Sequence, residues 1–434
     1  MLAGDLTRRT LLRRGAALTL AAGGASALSL ERLLSTAPAA ADQMRKCISL
    51  GGPGSLREDN HPDDYRAWGN REFILATDTT WVKLWVSWDE LQRELGRPPG
   101  SRAESWQHLN GAPGGQSWLR RLDAQVKAAK DDGRGVIVTL YQAYPPWASG
   151  AAAGEPGTAK PAEQKVPLDL SPDGPWGWFI AHLIARYCAG APPNPVGPHE
   201  PAPGEPVAGH DPRVGNPAGG HIDALEIVNE PNHLLWPQEG IEAAVAAMIR
   251  SAELLSRAWG PTALVAPATS DFPDHDTSVQ GVRAGTEWHG FTQRLLGELA
   301  GFVPGVPVRW SHHNYRDVRL APVPTRAERV AALLRAAGWS QEPRPLWLTE
   351  GGLDLGRSWA DGQARAEQAR KIERSFRRMA DTGDAFMWTQ HTINDKLGNT
   401  WKGALRDDYA WTGRLGARRP AWHTWRRVPG APAP

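Results

Sequence analysis

Ala224-Leu225-Glu226-Ile227-Val228-Asn229-Glu230-Pro231 decides the architecture of this chain. A short apolar run closed by turn residues reads as a buried strand. Pro231 has no N–H to give to a ladder, so the strand must stop there. Seven more runs rich in Val, Ile, Leu and Trp accompany it: with 224–229, the expected strands are 46–50, 81–87, 135–141, 263–269, 308–315, 346–350 and 385–390. Helical patterns fill the intervals at 118–130, 176–187, 240–258, 288–299, 325–337 and 364–380. Strands alternating with helices imply a parallel sheet. For eight strands the economical form is a closed α/β (β/α)8 barrel, the TIM barrel.

An open doubly wound sheet would carry a Gly-rich turn after its first strand. Gly51-Gly52-Pro53-Gly54 stands there, but its proline spoils the match to a dinucleotide loop and it reads as an ordinary turn. The 434 residues, 41% hydrophobic and 22% charged, can bury a large core. One barrel runs from about 250 residues to more than about 400 with insertions. No repeat argues for a solenoid or propeller.

The N-terminus is expected to be a signal rather than part of the barrel. Thr7-Arg8-Arg9-Thr10-Leu11-Leu12 is a twin-arginine pair followed by leucines, then a mildly apolar run over 15–30 and small residues at Ala37 and Ala39-Ala40-Ala41. Basic, apolar, small is the order of a signal peptide, and the paired arginines point to the Tat export machinery. The run is shorter than the roughly 20 residues that span a bilayer, so no stable membrane insertion is expected. Residues 1–41 are therefore read as a twin-arginine signal and 42–434 as the catalytic domain, secreted, periplasmic or at the cell surface. The formal charge of +2 falls to about −1 without the signal, which holds five arginines and two acids. No basic patch calls for nucleic acid. Cys47 and Cys188 are too few for a disulfide framework or a zinc site, and either one bridge or two buried thiols would fit. Oligomeric state is left open.

Strand polarity sorts the long loops. In a barrel, loops that follow strands build the catalytic face, and loops that precede them build the stability face. Residues 143–175, 270–287 and 392–413 should wall a site, whereas the Pro/Gly-rich 190–220 should hang from the opposite end. Glycosidic cleavage needs an acid at the leaving oxygen and a second carboxylate at the anomeric carbon. Two carboxylates close strands on the catalytic face: Glu230 before Pro231, and Glu350 in Leu346-Trp347-Leu348-Thr349-Glu350-Gly351-Gly352.

These motifs resemble the clan A glycoside hydrolases. Leu225-Glu226-Ile227-Val228-Asn229-Glu230-Pro231-Asn232 looks like their acid/base signature, in a form most similar to family 39 and its relatives. His313-Asn314-Tyr315 is similar to the clan's His-X-Tyr after strand six, and Trp388 to its strand-eight tryptophan. The resemblance extends from about residue 46 to about 425. It implies a retaining hydrolase in which Glu230 is the acid/base and Glu350 the nucleophile. Asn229 would bind the 2-hydroxyl, Tyr315 would hydrogen-bond Glu350, and Trp388 would floor the cleavage subsite, with His313 beside them. Many members carry an arginine on strand two behind the nucleophile; here Lys83 stands instead, without the planar fork. By strand parity Lys83 could also pair with Glu226.

The 21 tryptophans exceed phenylalanine and tyrosine together, and most must be core. Trp147 and Trp388 are the best candidates to meet a sugar, followed by Trp236, Trp288 and Trp401. Asp271, Asp274, His275 and Asp276 read as a solvated polar loop rather than a metal site. No cofactor motif stands out, and the expected partner is a carbohydrate of unspecified sugar and linkage. A transglycosylase would share every catalytic residue, whereas a non-catalytic glycan-binding barrel would need neither carboxylate.

Overall fold

A computed structural model describes residues 44–50, 64–67, 69–111, 119–149, 165–199, 215–235, 238–279, 282–339, 343–355, 361–393 and 418–430. The expected signal at 1–41, the turn at 51–54, Trp236, Trp401 and the bulk of the 392–413 loop lie outside the described residues.

Eight strands form the barrel: β1 (Arg45–Ser49), β2 (Trp81–Ser87), β3 (Gly135–Tyr141), β4 (Ala224–Glu226), β5 (Ala263–Thr269), β6 (Val308–His313), β7 (Leu346–Glu350) and β8 (Ala385–His391). All neighbours are parallel and follow chain order. Cys47 on β1 lies beside Trp81 of β2 on one side and Thr389 of β8 on the other, which closes the ring. Outside run α1 (Asn70–Ala76), α2 (Leu119–Asp131), α3 (Pro175–Tyr187), α4 (Ile241–Trp259), α5 (Trp288–Glu298), α6 (Arg326–Ala336), α7 (Gly362–Thr382) and α8 (Pro420–Arg427). Local chemistry sets several ends. Proline opens α3 and α8, where its missing N–H costs nothing, and Thr325 with Glu328 makes a capping box at α6. The sequence pattern contained neither α1 nor α8, because seven or eight residues are too few to set up a helical period.

Each strand is buried on both faces, and alternate residues serve two different cores. On β2, Val82, Leu84 and Val86 pack outward on the helices. Trp81 joins Cys47, Ile137, Ala224, Val265, Trp347 and Met387 in an apolar layer that plugs the interior. One step further along the strands the interior turns polar, with Lys83, Thr139 and Glu226 all fully buried. The plug keeps water from reaching that polar layer from below. Charges there act in a low dielectric.

Strand edges depart from the sequence reading at the functional end. Regular pairing of β4 stops at Glu226 rather than at 229, although Ile227 N–H still reaches the Val265 carbonyl at 3.2 Å. β6 stops at His313, and Tyr315 opens the short helix Tyr315–Leu320. The 270–287 loop holds a two-stranded hairpin, Thr277–Val279 with Val282–Gly285. The described part of 190–220 packs where α3 ends: a Cβ on Gly215 would meet the Arg186 carbonyl, and the Pro198 carbonyl accepts from Asn110 at 2.8 Å. Cys47 and Cys188 are both buried and unbridged. Among the described residues no helix is long and apolar enough to cross a membrane.

Candidate active site

Glu230 occupies a left-handed backbone conformation, φ 45° and ψ 49°. A non-glycine residue is strained there and must be held in place by its surroundings. Its N–H bonds the Ala268 carbonyl at 3.0 Å, and its carbonyl accepts from His233 and Leu234 at 3.0 and 2.8 Å. Asn232 fastens the next turn: its amide donates to the Ser270, Phe272 and Thr286 carbonyls at 3.1, 3.2 and 3.1 Å and accepts from Ser270 N–H at 2.9 Å. The turn therefore aims the Glu230 side chain inward. Asn229 beside it is buried; its amide nitrogen donates to Gln142 Oε1 at 3.3 Å, and its oxygen has no partner among the described residues.

Glu350 enters from β7. Its Oε1 takes a hydrogen bond from Lys83 Nζ at 2.8 Å, and its Oε2 takes one from the Tyr315 hydroxyl at 2.8 Å. Oriented to satisfy both neighbours, the Asn314 amide donates to the Glu350 carbonyl at 3.0 Å and accepts from Trp388 Nε1 at 2.9 Å. A Cβ on Gly351 would run into that amide, which accounts for glycine after Glu350. His313 stands between the carboxylates, with Nδ1 2.9 Å from Glu230 Oε1 and Nε2 3.6 Å from Glu350 Oε1. Oxygens of the two carboxylates lie within 4.8 Å of each other, and the side chains are 11% and 7% exposed at the mouth of the barrel.

The surroundings of the two acids differ. Burial raises Glu350, but the charges of His313, Lys83 and His391 and the Lys83 hydrogen bond together hold it well below the usual carboxylate range. Burial and the Glu350 charge also raise Glu230, and the bond and charge of His313 bring it back below its ordinary value. That lowering comes chiefly from His313, whose Nδ1 stands at hydrogen-bond distance from the carboxylate. Burial opposes the Lys83 ammonium, yet Glu226 and Glu350 outweigh it and keep Lys83 charged. Burial and the two acids push Tyr315 well above its usual value, so it remains a phenol that donates. Glu230, His313 and Glu350 have the donor chemistry of a metal site, but the Lys83 ammonium already supplies the positive charge beside Glu350.

Several expectations need correction. Trp388 does not floor the site: it is fully buried and faces outward, against Phe376 of α7 and Trp425 of α8 at ring distances of 6.2 and 5.6 Å. The interior position at the end of β8 belongs to His391, whose Nδ1 lies 2.9 Å from Ser49 Oγ and 4.0 Å from Glu350 Oε2. The expected strand stopped one residue short of it. Lys83 does not face substrate, because it is fully buried between two carboxylates. Trp147 bonds the Gln92 carbonyl at 3.3 Å and meets Trp88 edge-on, and neither contact reaches the acids. Trp288 is buried against His312. Asp271 is not solvated: it is fully buried, accepts the Arg316 N–H, and is raised by burial and Asp317, while Asp274 pairs with Arg326 at 2.5 Å. Besides His391, the sequence reading missed Gln142 behind Asn229 and Trp85, whose indole N–H bonds Ser49 Oγ at 3.1 Å.

No protein-family model matches the chain, and no curated protein matches it by sequence. Solved structures share the fold. A conserved exported protein from Bacteroides fragilis aligns at 12% identity with a TM-score of 0.52, over 90% of this chain and 79% of that one. An endo-1,4-β-D-mannanase from Thermotoga petrophila aligns at 12% identity and TM-score 0.47, over 89% and 98%. A tri-modular GH5 (subfamily 4) endo-β-1,4-glucanase from Bacillus licheniformis aligns at 14% and 0.44, over 89% of this chain; this chain spans 60% of that protein's length.

Proposed function

We propose that this barrel is a retaining glycoside hydrolase of clan A type, with Glu350 as nucleophile and Glu230 as acid/base. One observation carries the reading: two carboxylates, one in the turn beyond β4 and one at the end of β7, lie with oxygens within 4.8 Å, one beside an ammonium and the other beside a histidine. Retaining enzymes place their carboxyl groups about 5–5.5 Å apart and inverting ones more than about 6.5 Å, so the short separation supports retention. Unequal surroundings are what two-carboxylate chemistry requires, because one must be ionised while the other brings a proton.

The steps follow. Glu350 attacks the anomeric carbon as the bond to the leaving oxygen breaks, and that oxygen takes the proton from Glu230. Water then attacks the glycosyl ester, giving its proton to Glu230 and restoring the Glu350 carboxylate. Asn229, whose buried oxygen has no partner among the described residues, would accept from the 2-hydroxyl. The strand-four motif supports a family 39-like enzyme, and the twin-arginine segment supports export to an extracellular glycan or glycoside.

A panel of 4-nitrophenyl glycosides tests this on the purified protein, Glu350→Gln and Glu230→Ala. Turnover of at least one glycoside is expected. Glu350→Gln should abolish it, and Glu230→Ala should lose about 10²–10⁴-fold with poor leaving groups and far less with activated ones. Azide should rescue Glu230→Ala and give a glycosyl azide of retained configuration. Tight glycan binding with no turnover would replace this reading with a binding protein, and unchanged turnover in either variant would remove that residue's role.

A further inference from the structure

Beneath the nucleophile lies a second buried carboxylate that the reaction itself does not use. Glu226 is fully buried in the barrel interior, and its Oε2 is 2.8 Å from Lys83 Nζ, the same distance that separates Lys83 from Glu350. Thr139, paired with Glu226 across β3 and β4, donates its hydroxyl to the same oxygen at 2.8 Å. The other oxygen, Oε1, has no hydrogen-bond partner among the described residues. Below them is Cys47, which burial pushes up to about 12, so it remains a neutral thiol. Trp85 covers Lys83, its ring centre 4.4 Å from the ammonium. One cation therefore serves two acids, only one of which can reach the mouth of the barrel.

A nucleophile must be ionised, yet it must not be paired so tightly that it loses basicity. An ammonium held by Glu350 alone would bind its lone pairs more strongly at each instant of attack, when the carboxylate must give up charge. We propose that Glu226 is a positioning residue for the nucleophile: it draws the Lys83 ammonium back into the barrel, fixes Glu350 through it, and leaves that carboxylate basic enough to attack. The inference rests on Glu350 being the nucleophile. Glu350 also faces Tyr315, His313, His391 and, across the pocket, Glu230, whereas Glu226 faces Lys83, Thr139 and Cys47. Only Lys83 is common to both sets.

Carboxyl-carbon NMR of the full chain labelled with [¹³Cδ]glutamate reads the titration of Glu350, assigned by its loss in Glu350→Gln, and needs no substrate. Glu226→Gln keeps the shape and removes the charge. Glu350 is expected to titrate about one unit lower in that variant, and by less than half as much when Lys83→Met is also present. The acidic limb of kcat/KM on the 4-nitrophenyl glycoside that turns over should move down with it, with kcat lowered and KM little changed. Lys83→Arg, which can reach both acids, should restore turnover where Lys83→Met does not. If Glu226→Gln does not fold, Glu226→Asp, which draws the ammonium further from Glu350, should move the titration upward. An unmoved Glu350 titration, or an equal shift with and without Lys83, would overturn the proposal. A shifted titration in a protein that turns over no glycoside would leave the coupling standing and remove the enzymatic reading instead.

Discussion

His313 touches both candidate catalytic acids: Nδ1 is 2.9 Å from Glu230 and Nε2 3.6 Å from Glu350. Its imidazole is fully buried, and it is what brings Glu230 below the ordinary carboxylate range against burial and the Glu350 charge. In His313→Gln the His313 charge is gone and only the weaker effect of His233 opposes the two raising ones, so Glu230 should titrate at higher pH than in the native protein. The sign follows directly, since removing the cause of a lowering raises the group. Carboxyl-carbon NMR with Glu230→Gln as the assignment control measures it, and a lower or unmoved titration would refute this role of His313.

Trp388 makes a contrary prediction to a sugar platform. It packs on Phe376 and Trp425 and meets solvent nowhere, while its indole N–H contacts the Asn314 amide that in turn holds the Glu350 backbone. Trp388→Phe should therefore lower stability by about 1–3 kcal/mol in urea melts. KM should stay close to native. A large rise in KM without loss of stability would return Trp388 to the binding surface.

On the outside of the barrel, Arg186 of α3 and Asp123 of α2 form a two-bond pair at 2.8 and 2.7 Å, both side chains only 2% exposed. Tyr187 adds a third bond to Asp123 at 2.8 Å. Removing one partner of such a pair leaves a buried charge unanswered, so Asp123→Ala should cost about 3–5 kcal/mol. Asp123→Leu with Arg186→Met should recover much of that loss. Equal destabilisation by the single and double changes, measured by thermal melting, would show that packing rather than charge is at stake.

Lys46 ties β1 to the C-terminal helix, donating to the Thr77 and Trp425 carbonyls at 2.5 and 2.7 Å. Burial lowers it to about 8, only partly countered by Asp78. Between pH of about 8 and the unfolded value of about 10.4 the unfolded chain then binds more protons than the folded one. This group's contribution to stability should rise with pH through that window, by up to roughly 2–3 kcal/mol, because a neutral amine can still donate to both carbonyls. Subtracting the stability curve of Lys46→Met isolates the effect. A falling difference would mean that the ammonium, not the amine, is the favoured form.

Much of this fold was legible because both faces of a barrel strand are buried: the apolar runs that became β1 to β8 stand out, a proline follows Glu230 just beyond β4, and a glycine follows Glu350 at the end of β7. Strand parity also connected Lys83 with Glu226. Short α1 and α8 escaped, since a helix of two turns leaves no periodic trace. Trp388 was misassigned because it was matched to the clan's strand-eight tryptophan, whereas Met387 beside it occupies the interior and turns Trp388 out toward the helices.

What the sequence determined, then, is the order of elements and which carboxylates close strands on one face, because these follow from local apolar patterning and from residues that stop a ladder. Which of them meet, and what each meets, was decided only by closure of the barrel. Lys83 and Glu350 are 267 positions apart, His391 and Ser49 are 342 apart, and no local rule couples such residues. Closure brings them within hydrogen-bond reach over an apolar plug, where charge pairing and hydrogen bonding are strong enough to set the state of each acid.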